Sequence, residues 1–296
     1  MSKSKLNETS QNISPTPDSW GMAINQDTVA IRILVADLNN SRILSVNPMI
    51  ARTTIVVPSG QGPGQVRFPR AITIDRNTRN IFVADNGNDR IQKFSPTFAF
   101  LKEWGGTGTG DGKFNGPTGI AVDSNGDVYV TDARNHRVQK FDNNGVFIQA
   151  WGGLGTDNGK FNLPQCIAVE SDDDIVVTDG GNHRIQKFNN DSQFIRSWGK
   201  PGSGDGEFGG PNGVAVSPND DIYVVDSDND RVQKFNVTGV FIKSWRGSPD
   251  FVRARNITYN PLTTNLLVSD QNGIQIFTLD GGFVGKVNFG PIISDQ

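Results

Sequence analysis

Short runs of Val, Ile, Leu, Phe and Tyr recur along the chain from about residue 18 onward, each bounded by Gly, Asn, Asp or Pro. Runs of this length and composition read as β-strands joined by tight turns, and no stretch sustains the period of an amphipathic helix. One stretch shows the grammar. Pro117 to Asp123 is followed by Asp127 to Asp132, then Asn135 to Phe141, then Gly145 to Gly152. These are four predicted strands, and Ser124-Asn125-Gly126 supplies a hairpin signal between the first two.

The pattern repeats. Trp104, Trp151, Trp198 and Trp245 each stand 47 residues from the next. An Asp closes a short apolar run at Asp37, Asp85, Asp132, Asp179, Asp226 and Asp270. Six units of four antiparallel strands predict an all-β fold, a six-bladed β-propeller of four-stranded blades. A row of mostly small residues (Gly21, Ala71, Gly119, Cys166, Gly213, Asn256) opens the innermost strands, where crowding toward the axis is expected. The expected layout is a disordered arm over residues 1–17, a propeller over 18–290 and a tail over 291–296. With no spare strand evident, ring closure is expected to rest on packing between the first and last blades.

Four units carry the stretch Val-x-Asp-x-x-Asn-x-Arg-(Ile/Val)-Gln-Lys-Phe, at Val83 to Phe94, Val130 to Phe141, Val177 to Phe188 and Val224 to Phe235. Asn-His appears within it at Asn135-His136 and Asn182-His183. This motif resembles the NHL repeat, and the resemblance spans roughly residues 18 to 290. The end units depart from it, with Val56 and Val287 where the others have Trp. The resemblance implies a propeller that recognises macromolecules, in some relatives as the partner-binding part of a ubiquitin-ligase pathway. RNA recognition by a basic face is its alternative, and a Ca²⁺-dependent propeller hydrolase or lyase is a third reading.

Composition narrows the chemistry. One Cys and two His leave no residues for a zinc cluster, so no metal or other cofactor is expected. A net charge of −3 disfavours RNA as partner. No apolar run is long enough for a membrane span, and no secretory signal is evident, so a cytoplasmic monomer is expected. Asp132 and Arg137, with their equivalents, face each other across a turn and are expected to pair for stability. The ring-like set Asn25, Asp75, Asp123, Glu170, Ser217 and Asn260 is expected to open hairpin turns rather than hold Ca²⁺. Cys166 is expected to pack. The Gly-rich stretch Gly105 to Lys113 lacks a complete Walker pattern and reads as a connection between blades.

These observations predict a protein without catalysis that binds a protein partner. Strand directions put the starts of the inner strands and the turns after the recurrent Asp on one side of the disc. There the repeat relaxes, with Trp20, Arg70, Thr118, Gln165, Asn212 and Arg255 at successive starts and Arg134 in a turn. Fold requirements do not dictate these identities, so a binding patch is expected among them, centred on Trp20, Arg70 and Arg255.

Overall fold

A computed structural model describes residues 19–26, 31–271, 273–287, 289 and 292–294. The expected arm over residues 1–17 lies outside the described residues. Six sheets are strung in chain order, each built on four consecutive antiparallel strands. In the third blade these are Pro117–Val122, Val128–Asp132, Arg137–Phe141 and Phe147–Gly152. The inner strands touch their neighbours around the whole ring, and that of blade one (Ser19–Gln26) contacts those of blades two (Ala71–Ile74) and six (Asn256–Asn260). The protein is therefore an all-β, six-bladed β-propeller. Among the described residues, no helix is long and apolar enough to cross a membrane.

The second strands are buried on both faces, as in Ile81–Asp85 and Val128–Asp132, so their apolar runs do not alternate. Core clusters lie between successive blades, each drawing side chains from two sheets. Each outer-strand Trp packs on the Phe of the next blade's third strand. The ring centroids lie 5.9 Å apart for Trp104 and Phe141, and 5.8 Å for Trp151 and Phe188. The 47-residue Trp period is thus a period of contacts between blades.

The small-residue row lies where the inner strands crowd together around the axis, as expected. A Cβ on Gly119 would lie 2.9 Å from the Cα of Cys166 and from the carbonyl oxygen of Gln165, in the next inner strand. Gly21 and Gly213 meet the backbones of blades two and six at 2.7 Å in the same way. The crowding that excludes side chains is between neighbouring inner strands. Beside these glycines, Thr131 Oγ1 accepts from Gly119 N at 2.6 Å and donates to Gln165 O at 2.9 Å. Thr178 Oγ1 repeats the bridge, accepting from Cys166 N and donating to Asn212 O, both at 2.7 Å. Thr178→Val keeps the shape and removes both bonds, leaving a buried N–H and a carbonyl without partners. It should cost about 2 kcal/mol, read as a lower urea midpoint at unchanged slope.

Ring closure departs from the expectation. Ile292–Ser294 form a strand that pairs in parallel with the outer strand of blade one, Ile292 opposite Thr53 and Ser294 opposite Ile55. Ile292 and Phe289 pack against a cluster that joins blades one and six. Closure uses hydrogen bonds as well as packing.

Candidate functional site

The repeated polar residues build the frame for the site. Asp132 is fully buried and ends the second strand; its Oδ2 receives Arg137 Nε at 2.9 Å, Asn135 at 2.8 Å and Gln139 at 3.2 Å. Its Oδ1 accepts from Asn115 N at 2.7 Å, in the connection entering the same blade. Arg137 and Gln139 hold further backbone atoms of that connection, at Gly110, Gly112 and Lys113. The same lattice stands around Asp85, Asp179 and Asp226. The expected Asp–Arg pairing is present, and the Gly-rich stretches are the connections it fixes. Lys113 Nζ donates to Gly105 O at 2.8 Å, so that Lys is also committed to loop structure.

The residue after each Asn of the motif takes a left-handed conformation, φ 54° at His136 and 50° at Asp89. His136 Nδ1 accepts from Leu163 N at 3.1 Å, and Asp89 accepts from Gly116 N at 2.7 Å. These side chains hold the connection leaving the blade. His183 takes the same left-handed conformation one blade on, at φ 54°, but its Nδ1 is buried without a hydrogen-bond partner.

On the face where the inner strands begin, the axis is nearly closed. Arg70, Thr118, Gln165 and Asn212, with Cys166 and Asn256, surround a void of only about 10 Å³. Four of the seven residues expected at a binding site therefore converge on the axis. Arg255 and Arg134 lie near enough to act on Arg70: burial first, then these two like charges, lower it to about 10. Thr118 is buried, and its hydroxyl contacts Thr131 Oγ1 at 2.9 Å and Pro164 O at 3.0 Å, which commits it to the fold. Gln165 donates to Leu163 O at 2.8 Å. The backbone of Trp20 lies in the inner strand of blade one; its side chain is outside the described residues. Exposed Phe68, Leu163 and Val252 stand in the connections that lead to the inner strands of blades two, four and six. Arg67 stacks over the Phe68 ring at 5.5 Å.

Toward the other face the axis widens into a cavity of about 530 Å³. Its walls are the apolar inner strands, among them Ile72, Ile120, Ile167, Val214 and Ile257. Its mouth carries Arg76 and Arg79 from blade two, Glu170 and Ser171 from blade four, and Ser217 from blade five. Half-buried Cys166 also lines the wall, and burial pushes its thiol up.

The turn-opening set behaves as expected at Asp75 and Asp123. Asp75 accepts from Asn77 N at 2.8 Å, and Asp123 from Asn125 N at 2.9 Å. Glu170 differs. Its Oε2 accepts from Lys187, whereas its Oε1 is buried and has no hydrogen-bond partner. Burial, with the nearby charges of Asp172 and Asp220, pushes Glu170 up to about 7 against the opposing influence of Lys187. Among the described residues, Glu170, Asp172 and Asp174 are the group spaced to hold a metal ion. The Lys187 ammonium already binds Glu170 and, at 3.0 Å, Asp174.

A folded-state pKa raised from 4.5 to about 7 means the folded protein holds this proton more tightly than the unfolded chain does. The stabilisation is present below the unfolded value and is lost as pH rises through about 7. Glu170→Gln removes that dependence. The melting temperature of the variant should therefore rise relative to wild type by several degrees between pH 5 and pH 8, roughly 2 kcal/mol at about 1.4 kcal/mol per unit. A difference independent of pH would show that Glu170 titrates normally.

With fold and site in place, the comparisons can be read. The NHL repeat family model matches residues 114–141, 161–188 and 208–235. The chain thus carries NHL repeats on a six-bladed β-propeller. No curated protein matches it. Among solved structures it is similar to a streptogramin B lyase at 17% identity and TM-score 0.68, covering 96% of this chain and 89% of that one. A gluconolactonase from Xanthomonas campestris is similar at 15% identity and TM-score 0.68, with 88% and 86% covered. A chain of a nidogen–laminin complex is similar at 17% identity and TM-score 0.64, with 82% and 85% covered.

These likenesses correct the expectation that the protein is not an enzyme. A lyase and a gluconolactonase are built on this fold, so a propeller with few nucleophiles and metal ligands is not thereby a non-catalytic one. The sequence reading placed Glu170 in its ring-like set but missed its place in the cavity lining, where burial pushes its carboxyl up to about 7.

Proposed function

We propose that this propeller binds an acidic segment of a protein partner on the face where its inner strands begin. The observation that carries the reading is Arg70 at the axis, with Arg255 and Arg134 close enough for their charges to act on it. Guanidinium groups form forked hydrogen bonds to carboxylates, and partial burial strengthens them. Phe68, Leu163 and Val252 lie exposed on the same side and supply apolar contacts beside the charges. That combination suits a peptide better than a phosphate backbone, which would favour a broader cationic field than a chain of net charge −3 provides.

Fluorescence anisotropy tests the reading with two labelled probes, an Asp/Glu-rich peptide carrying Phe and an oligouridylate. The triple variant Arg70→Gln, Arg134→Gln, Arg255→Gln should weaken the peptide by about tenfold or more, with folding confirmed by circular dichroism. Lys102→Ala and Lys286→Ala, exposed elsewhere, should leave it unchanged. Preference for the RNA with a steep salt dependence would replace this reading with the nucleic-acid one.

A further inference from the structure

We propose that the axial cavity is a second binding site, on the opposite side of the plug formed by Arg70, Thr118, Gln165 and Asn212, for an amphipathic carboxylic acid bearing a hydroxyl or amino donor next to its carboxylate. Three observations meet there. The first is size and lining. About 530 Å³ walled by Ile, Val and Ala side chains accepts an apolar body of drug-like dimensions, and the narrow end stops it from passing through.

The second is Arg76 and Arg79 at the mouth. Arg76 is exposed; Arg79 is half-buried and donates to Asn25 Oδ1 at 3.3 Å. Both belong to the turn after the inner strand of blade two, and both line the cavity. An anionic head group at the mouth meets two guanidiniums, while its tail lies along the axis.

The third is Glu170, two blades away around the same mouth. Its side chain is fully buried, and one oxygen is bound to Lys187. The other, Oε1, is buried with no partner, which is costly unless something else supplies one. A ligand hydroxyl or ammonium supplies it. The metal alternative is weaker here, since the ammonium of Lys187 already occupies an oxygen of Glu170 and one of Asp174. Ser217, at the equivalent position of the next blade, adds a hydroxyl to the lining.

The test is isothermal titration with 2-hydroxynonanoate, nonanoate and nonan-1-ol. One molecule should bind, the hydroxy acid tightest and the alcohol weakest, with each polar group contributing about tenfold. Arg76→Gln with Arg79→Gln should hold the acid no better than the alcohol. Glu170→Ala should hold hydroxy acid and plain acid equally. Cys166, the sole cysteine, reports occupancy independently: 2-hydroxynonanoate should slow its modification by methyl methanethiosulfonate. No saturable binding, an unchanged Cys166 rate at saturation, or an order of affinities insensitive to the arginine pair would each overturn the assignment. Should Glu170→Ala fail to fold, the arginine pair and the Cys166 rate carry the test on their own. Neither set of residues overlaps the arginines of the opposite face, so the two readings fail separately.

Discussion

Arg137→Ala should lower the unfolding free energy by about 3 kcal/mol, a large share of what holds a domain together. The reasoning starts from Asp132, whose carboxylate is wholly shielded from water and receives Arg137 Nε at 2.9 Å. Removing the guanidinium leaves that charge with Asn135, Gln139 and one backbone N–H as its donors. It also strips the carbonyls of Gly110 and Lys113 of a donor, each at 2.8 Å. The connection into blade three loses its clamp along with the charge pair. Arg137→Lys should recover little, because a single ammonium cannot span Asp132 and both carbonyls. Urea unfolding with an unchanged slope reads the loss directly. A wild-type midpoint in the alanine variant would mean that the lattice of the turn is not a source of stability.

Ending the chain at Val287 should cost about 4 kcal/mol. The segment beyond it buries much of Phe289 and Ile292 against the joint between blades one and six, roughly 1 kcal/mol or more for each. It also pairs Ile292, Ile293 and Ser294 with Thr53, Thr54 and Ile55, and Thr53 donates its hydroxyl to Phe289 O. Each of these hydrogen bonds contributes about 1 kcal/mol. Ile292→Pro should move the melting temperature in the same direction by less, because it removes one backbone donor and leaves the rest of the segment. If the truncated chain melts with the full one, the ring is closed by blade packing alone.

Much of this molecule was legible because repetition amplifies weak signals. A single Trp or Asp carries little information, but Trp104, Trp151, Trp198 and Trp245 at one spacing mark the same interblade contact four times. The pairing of Asp132 with Arg137 was readable for the same reason. The closing strand was not, since Ile292–Ser294 is three residues long, occurs once and has no turn signal of its own. The small-residue row was legible as a sign of crowding, although sequence does not show which backbone lies against each position. Of the candidate patch, the nearness of Arg70 and Arg255 followed from the order of units around a ring. That Thr118 is spent on Thr131 and Pro164 depended on three-dimensional contacts. Glu170 left a trace: it is the one Glu in a row otherwise made of Asn, Asp and Ser, one methylene longer than a turn-opening residue needs to be. The exclusion of catalysis was corrected by the likeness to a lyase and a gluconolactonase of the same fold. A census of residue types cannot weigh what burial does to one carboxyl.

The parallel pairing at the ring's seam also orders events during synthesis. Thr53 and Phe289 are 236 positions apart, and ordering a loop of that size costs on the order of 5 kcal/mol before any contact across it is gained. On the ribosome, blade one emerges first and cannot meet its closing strand until every other blade has been made. Throughout that interval its outer strand, Arg52–Val57, presents an unpaired edge. The edge recognises three residues by backbone hydrogen bonds and cannot tell its own chain's segment from a neighbour's. Nascent copies crowded together are therefore exposed to exchange of this strand, and slow translation of the later blades lengthens the exposure.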